Sequence, residues 1–143
     1  MTVEYASAKK IPHPATWAVV YKSSTQFWEG IKNKQLLFQR CKDCGKWLHP
    51  PRPICPECRS KEQEWVRSSG KGTVYTWVTV HESPHPAFKS PYTVVLVEMD
   101  EGPRIVSNMI DIKPEELEIG MPVEAVFEDV AEDLTLPKFR RVA

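Results

Sequence analysis

Residues 40–60, RCKDCGKWLHPPRPICPECRS, contain every cysteine of the 143-residue chain: Cys41, Cys44, Cys55 and Cys58. They form two C-x2-C hooks separated by ten residues, a spacing that lets two tight loops face one tetrahedral ion. Two residues between cysteines let each loop fold over its own thiolate, so that backbone N–H groups donate to sulfur. Gly45, directly after the first hook, supplies the backbone freedom such a turn needs, whereas Arg59 and Ser60 follow the second. Four thiolates leave no vacant position, which predicts a structural Zn²⁺ site, with iron as the other ion this ligand set suits. A thioredoxin-type redox pair needs one C-x2-C in an α/β pattern, and a nucleophilic cysteine has to lie outside the ligand set. Neither condition is met. His49 reads as a surface histidine or one that supports the ligands from behind, and Pro50, Pro51 and Pro53 stiffen the loop that carries Arg52.

Working outward, Ser23 and Gln26 fit a capping box, and Phe27, Trp28 and Ile31 share one helical stripe. The pattern predicts a short amphipathic helix over 24–32 whose aromatic side packs on the neighbouring module. QLLFQR (35–40) then reads as a strand leading into the first hook, and residues 1–22, with Pro12 and Pro14, as an N-terminal arm. TWAVVYKSS (16–24) reads as a helical turn.

Downstream, Ser68, Ser69, Gly70 and Gly72 mark a linker, and beyond it the period changes to two. GTVYTWVTVHE (72–82) places Val74, Thr76, Val78 and Val80 on one face and Tyr75, Trp77 and Thr79 on the other. Further strands are expected at YTVVLVEM (92–99), RIVSNMI (104–110), PVEAVFEDV (122–130) and LTLPKFRRV (134–142). Between the third and fourth strands of this set, Pro114 suits the start of a short helix and Gly120 its end. Three strands, a short helix and two strands is the order of an OB-fold, although SH3-like barrels and other small β folds share the composition. The fold expected is mainly β: an arm over 1–22, a helix plus zinc ribbon over 23–67, and a five-stranded OB-fold barrel over 68–143.

Hydrophobic residues at 41% and charged residues at 27% describe a folded globular chain. Apolar runs such as Tyr92 to Val97 fall far short of the roughly 20 residues that span a bilayer, and no apolar stretch near Met1 resembles a secretory signal. The expected location is the cytoplasm, where paired cysteines stay reduced and bind metal. Residues 1–72 carry 13 Lys or Arg against 6 Asp or Glu (+7), and residues 73–143 carry 6 against 13 (−7). The basic half could meet phosphates or an acidic partner. No G-x-S-x-G elbow, Walker loop or G-x-G-x-x-G is present, and the neighbours His81 and Glu82 point to opposite faces of a strand, so the chain reads as a non-enzyme. The Pro-rich loop HESPHPAFKSPY (81–92) borders what is commonly the ligand face of an OB-fold.

In order, LLFQRCKDCGKWLHPPRPICPECRS, WVRSSGKGTVYTWVTVH, PAFKSPYTVVLVEMDEGPRIVSNM and IGMPVEAVFED strongly resemble a known family across residues 23–130. It is the zinc-ribbon plus OB-fold acyl-CoA-associated proteins, long catalogued as a domain of unknown function. The resemblance implies a rubredoxin-like ribbon preceded by a helix, joined to an OB-fold. It also implies a non-catalytic accessory subunit that acts with thiolase-type, hydroxymethylglutaryl-CoA synthase-type or hydratase enzymes and meets CoA or acyl-CoA as a ligand. Some family members have lost ribbon cysteines; this chain keeps all four, and its tail from Ala131 lies beyond the best match. Coenzyme A offers phosphates, an adenine ring and a thin pantetheine arm. On that basis Arg52 and Lys71 are candidate phosphate contacts, Phe88 and Tyr92 candidate walls of an apolar slot, and His81 a candidate donor to a carbonyl. The competing reading is a nucleic-acid-binding module, since ribbons and OB-folds also serve that role. Against it, a barrel half at −7 has the wrong sign for tracking a phosphate backbone.

Overall fold

The computed structural model describes residues 24–83, 89–132 and 134–142. The expected arm over 1–22, the Ser23 cap and most of the 16–24 turn lie outside the described residues. Helix α1 (Thr25–Lys32) buries Phe27 and Ile31 of the expected stripe together with Gly30, while Trp28 is half-buried. Its N-cap is Ser24, whose side chain makes no capping hydrogen bond.

The ribbon follows as β1 (Leu37–Cys41), β2 (Trp47–Leu48) and β3 (Gln63–Arg67), an antiparallel sheet in the order β2-β1-β3. Five further strands close into a barrel: β4 (Lys71–Val80), β5 (Tyr92–Met99), β6 (Arg104–Ile110), β7 (Pro122–Ala131) and β8 (Leu134–Arg141). Their order is β4-β5-β6-β8-β7, with β7 returning to β4 and only the β6–β8 pair parallel. This is the OB-fold barrel expected from the strand order. The short helix foreseen between β6 and β7 shrinks to one 3-10 turn at Pro114–Glu116.

The alternation expected along β4 fails at its middle. Val74 is 1% exposed, whereas Val78 is 59% exposed. The β4–β5 register shifts between Val74 and Thr76, so Tyr75 is an extra residue. Such a bulge inverts the alternation beyond it. Trp77 therefore packs on the core and Val78 faces out.

Ribbon and barrel share one core, in which Phe27, Ile31, Leu36 and Phe38 pack with Val74, Val97 and Phe139. The linker between them is fixed. The Glu101 carboxylate accepts from Ser68 Oγ at 2.6 Å, Ser69 Oγ at 3.0 Å and the Ser69 N–H at 3.1 Å. The Ser68 N–H in turn donates to the Leu36 carbonyl at 2.8 Å.

Gly72 marks the tightest approach of β4 to β5. A methyl group there would lie 2.5 Å from the Glu98 carbonyl oxygen and 2.8 Å from Val97 Cγ1. Because backbone cannot move aside cheaply, Gly72→Ala is expected to cost about 1–3 kcal/mol. A denaturant midpoint equal to that of the unmodified chain would contradict this.

Candidate metal centre and adjoining surface

The two hooks are built alike. Cys41 N–H donates to the Lys46 carbonyl at 2.8 Å and Gly45 N–H to the Cys41 carbonyl at 2.9 Å; Cys55 N–H donates to the Ser60 carbonyl and Arg59 N–H to the Cys55 carbonyl, both at 2.9 Å. Gly45 has φ 76° and Arg59 has φ 62°. Arg59 thus adopts the left-handed turn that its counterpart meets with glycine, at a cost of about 1–2 kcal/mol. The hooks are also cross-tied in matching positions: Lys46 Nζ lies 2.8 Å from Glu57, and Ser60 Oγ donates to Asp43.

The four sulfurs lie within 4.8 Å of one another, with Cys41–Cys58 and Cys44–Cys55 at 3.5 Å. Tetrahedral Zn–S bonds of about 2.3 Å put sulfurs roughly 3.8 Å apart, so the cluster fits such an ion. Without a cation the sulfurs cannot all ionise. The Cys44 N–H, opposed by burial and helped by the Asp43 N–H, lowers Cys41 to about 7. At Cys58 the Ser60 N–H also lowers the value, but burial and the three neighbouring sulfurs push it up to about 12. A divalent metal at the centre would remove that conflict, and these four residues would hold it.

His49 is not a ligand, and it is half-buried and lines a cleft, which corrects the reading of a plain surface residue. Its ring centroid lies 5.1 Å from that of Phe38 and 5.4 Å from that of Phe27. Nδ1 is buried with no hydrogen-bond partner among the described residues. Burial lowers its pKa to about 4, so the ring is neutral at pH 7.

Of the candidate CoA contacts, Arg52 is exposed on the loop between the hooks. Gln39, 4% exposed, fixes that loop by accepting the Arg52 N–H on Oε1 at 2.7 Å. Lys71 opens β4 and His81 follows its other end. Ten strand residues at about 3.3 Å each separate them by roughly 30 Å. Tyr92, opposite Val80 at the start of β5, is 9% exposed. Phe88 lies outside the described residues.

Sequence reasoning missed a cleft of about 420 Å³ where helix, ribbon and barrel meet. Phe27 and Trp28, Pro50 and Pro51, and Leu136 and Pro137 form its walls, with Val106 of β6 among its lining residues. Among the described residues, no charged side chain lines it. Only the Phe27/Trp28 stripe gave a signal, and it read as ordinary core.

Two family models match adjoining parts of the chain. Residues 28–64 match the ChsH2 rubredoxin-like zinc ribbon domain, and residues 65–128 the ChsH2 C-terminal OB-fold domain. A Methanocaldococcus jannaschii DUF35 domain-containing scaffold protein is 45% identical over 115 residues, 78% of this chain and 82% of that protein. The chain belongs to the ChsH2/DUF35 family. Another relative of this DUF35 chain is a probable enoyl-CoA hydratase alpha subunit from Thermomonospora curvata, 42% identical over 129 residues. That match covers 90% of the DUF35 chain but only 39% of the relative's length. A chain of the solved Ltp2-ChsH2(DUF35) aldolase superposes with a TM-score of 0.80 at 42% identity, covering 85% of this chain and 96% of that one.

Two outcomes follow from the site. Cys41→Ser is expected to cut bound zinc well below about one ion per chain and to unfold the ribbon; unchanged metal content with intact near-ultraviolet dichroism would contradict it. For His49 the folded pKa of about 4 lies below the ordinary 6.5, so the unfolded chain takes up the proton first as pH falls. The associated stability is present above pH 6.5 and lost toward pH 4, by about 3 kcal/mol. The difference in unfolding free energy between the unmodified chain and His49→Leu should shift by that amount across the window. A constant difference would show that His49 does not titrate this way.

Proposed function

We propose that this DUF35 chain is a non-catalytic cytoplasmic subunit that binds acyl-CoA and scaffolds an enzyme of the thiolase superfamily, of acetoacetyl-CoA thiolase or hydroxymethylglutaryl-CoA synthase type. The observation that carries the reading is the 45% identity reaching over 82% of a protein described as a scaffold protein. The name of the Thermomonospora curvata relative adds support for work beside a CoA-thioester enzyme. The division proposed is an arm over 1–22, a helix and ribbon over 23–67 and a barrel over 68–143. Zinc at Cys41, Cys44, Cys55 and Cys58 is structural, holding the loop that presents Arg52.

In this reading Arg52 and Lys71 meet the phosphates of CoA, which charge-assisted contacts recognise well. His81, Phe88 and Tyr92 receive the pantetheine arm and the thioester. A separation of roughly 30 Å along β4 calls for an extended ligand with charge at one end.

The test is co-expression with a thiolase-superfamily enzyme from the same organism. A stable complex on size-exclusion chromatography and altered acyl-CoA turnover by the enzyme are expected. Separate elution together with unchanged turnover would end the scaffold reading.

A further inference from the structure

Beyond its bulge, β4 presents to the outside the side chains that its neighbours present from β5 and β6. The ladders align Thr76 with Leu96 and Val106, and Val78 with Val94 and Asn108. Residues directly opposite one another share a face of the sheet, so these six form a patch without a formal charge. Val78 is 59% and Val106 is 66% exposed. The next outward row holds the ion pair of Arg104 Nε and Glu98 at 3.1 Å, and there the charge-free patch ends.

This patch runs into the cleft, because Val106 and Asn108 belong to both. In a chain with 27% charged residues, the described residues therefore form a continuous uncharged surface from β4, β5 and β6 to Phe27 and Trp28 of α1 and the Pro50–Pro51 turn. A flat aliphatic face beside a pocket walled by aromatic rings and prolines has the anatomy of a protein interface, where an anchor side chain fills the pocket. Exposed apolar residues rimmed by polar ones, as Val78 and Val106 are here, mark such sites when they adjoin a pocket.

A second copy of the chain does not suit the surface. A two-fold contact can set one copy's cleft against the other copy's β4–β6 face, but the exposed apolar side chains there, Val78 and Val106, are too short to fill the concavity. The fitting occupant is a different protein with a charge-poor face and a protruding apolar or aromatic side chain. A homologous chain is already known from the Ltp2-ChsH2(DUF35) aldolase.

We propose that the cleft and the outer face of β4–β6 are the docking surface for the partner enzyme, which fills the cleft with a protruding apolar side chain. The proposal rests on the scaffold reading and names the surface that reading needs.

The experiment measures the affinity of the full chain for the co-expressed thiolase-superfamily enzyme. Val106→Glu and Val78→Glu place a charge on exposed positions that the fold does not need apolar. Each should weaken binding at least tenfold with unchanged melting temperature. Ile119→Glu is the control, since Ile119 is 75% exposed and belongs to neither the cleft nor the patch; it should bind like the unmodified chain. Unmodified affinity in both valine variants, or an equal loss in the Ile119 variant, overturns the surface while leaving the scaffold reading intact. An unmodified chain that fails to bind overturns the scaffold reading and this surface with it.

Discussion

Phe38 of β1 has no exposed surface, and it lies in one buried cluster with Phe27 and Ile31 of the helix and Val97 and Phe139 of the barrel. The ribbon has almost nothing else to fold around. Among the described residues, its own separate cluster holds only Leu48 beside Cys41 and Cys55. A module this small cannot bury enough apolar surface by itself and needs a metal or a neighbour. Here it uses both: sulfur ligation holds the knuckles and the barrel supplies the core, with a buried Phe-sized side chain worth about 1.5–3 kcal/mol.

Magnitudes also decide what holds the two halves together. Their charges of +7 and −7 suggest mutual attraction, and one exposed pair, Lys34 with Asp129 at 2.6 Å, does link the end of α1 to β7. An exposed pair contributes about 0–1 kcal/mol. The apolar cluster and the clamp of Glu101 on Ser68 and Ser69 outweigh it. Charge asymmetry therefore says more about what each half can meet than about how they are joined.

The features legible in the sequence are local ones. Two C-x2-C hooks, a three-residue helical stripe and five runs of strand-forming residues each declare themselves within a dozen positions, and together they gave the fold class and the barrel's strand set. Apart from the helix that shrank to a turn at Pro114–Glu116, the failures are non-local or depend on one extra residue. Tyr75 looks like any other strand residue, yet as a bulge it puts Val74 and Val78 on opposite faces. His49 reads as polar and exposed until Phe27 and Phe38 close over it. The cleft is assembled from positions as distant as 27, 50, 106 and 137, which no window along the chain can bring together.

That assembly ties the metal to the surface in a definite order. The hooks fix both ends of the loop from Gly45 to Ile54, and Gln39 fixes its middle through the Arg52 N–H. Pro50 and Pro51 then stand as one wall of the cleft, opposite β6 and β8. Because helix, ribbon and barrel share one core, the other walls are held independently of the hooks. Opening the hooks would release the proline wall while leaving Val106 and the β4–β6 face in place. Metal loss should therefore weaken docking through the pocket more than through the flat face, so the affinity that survives demetallation reports how the interface divides between its anchor and its apron.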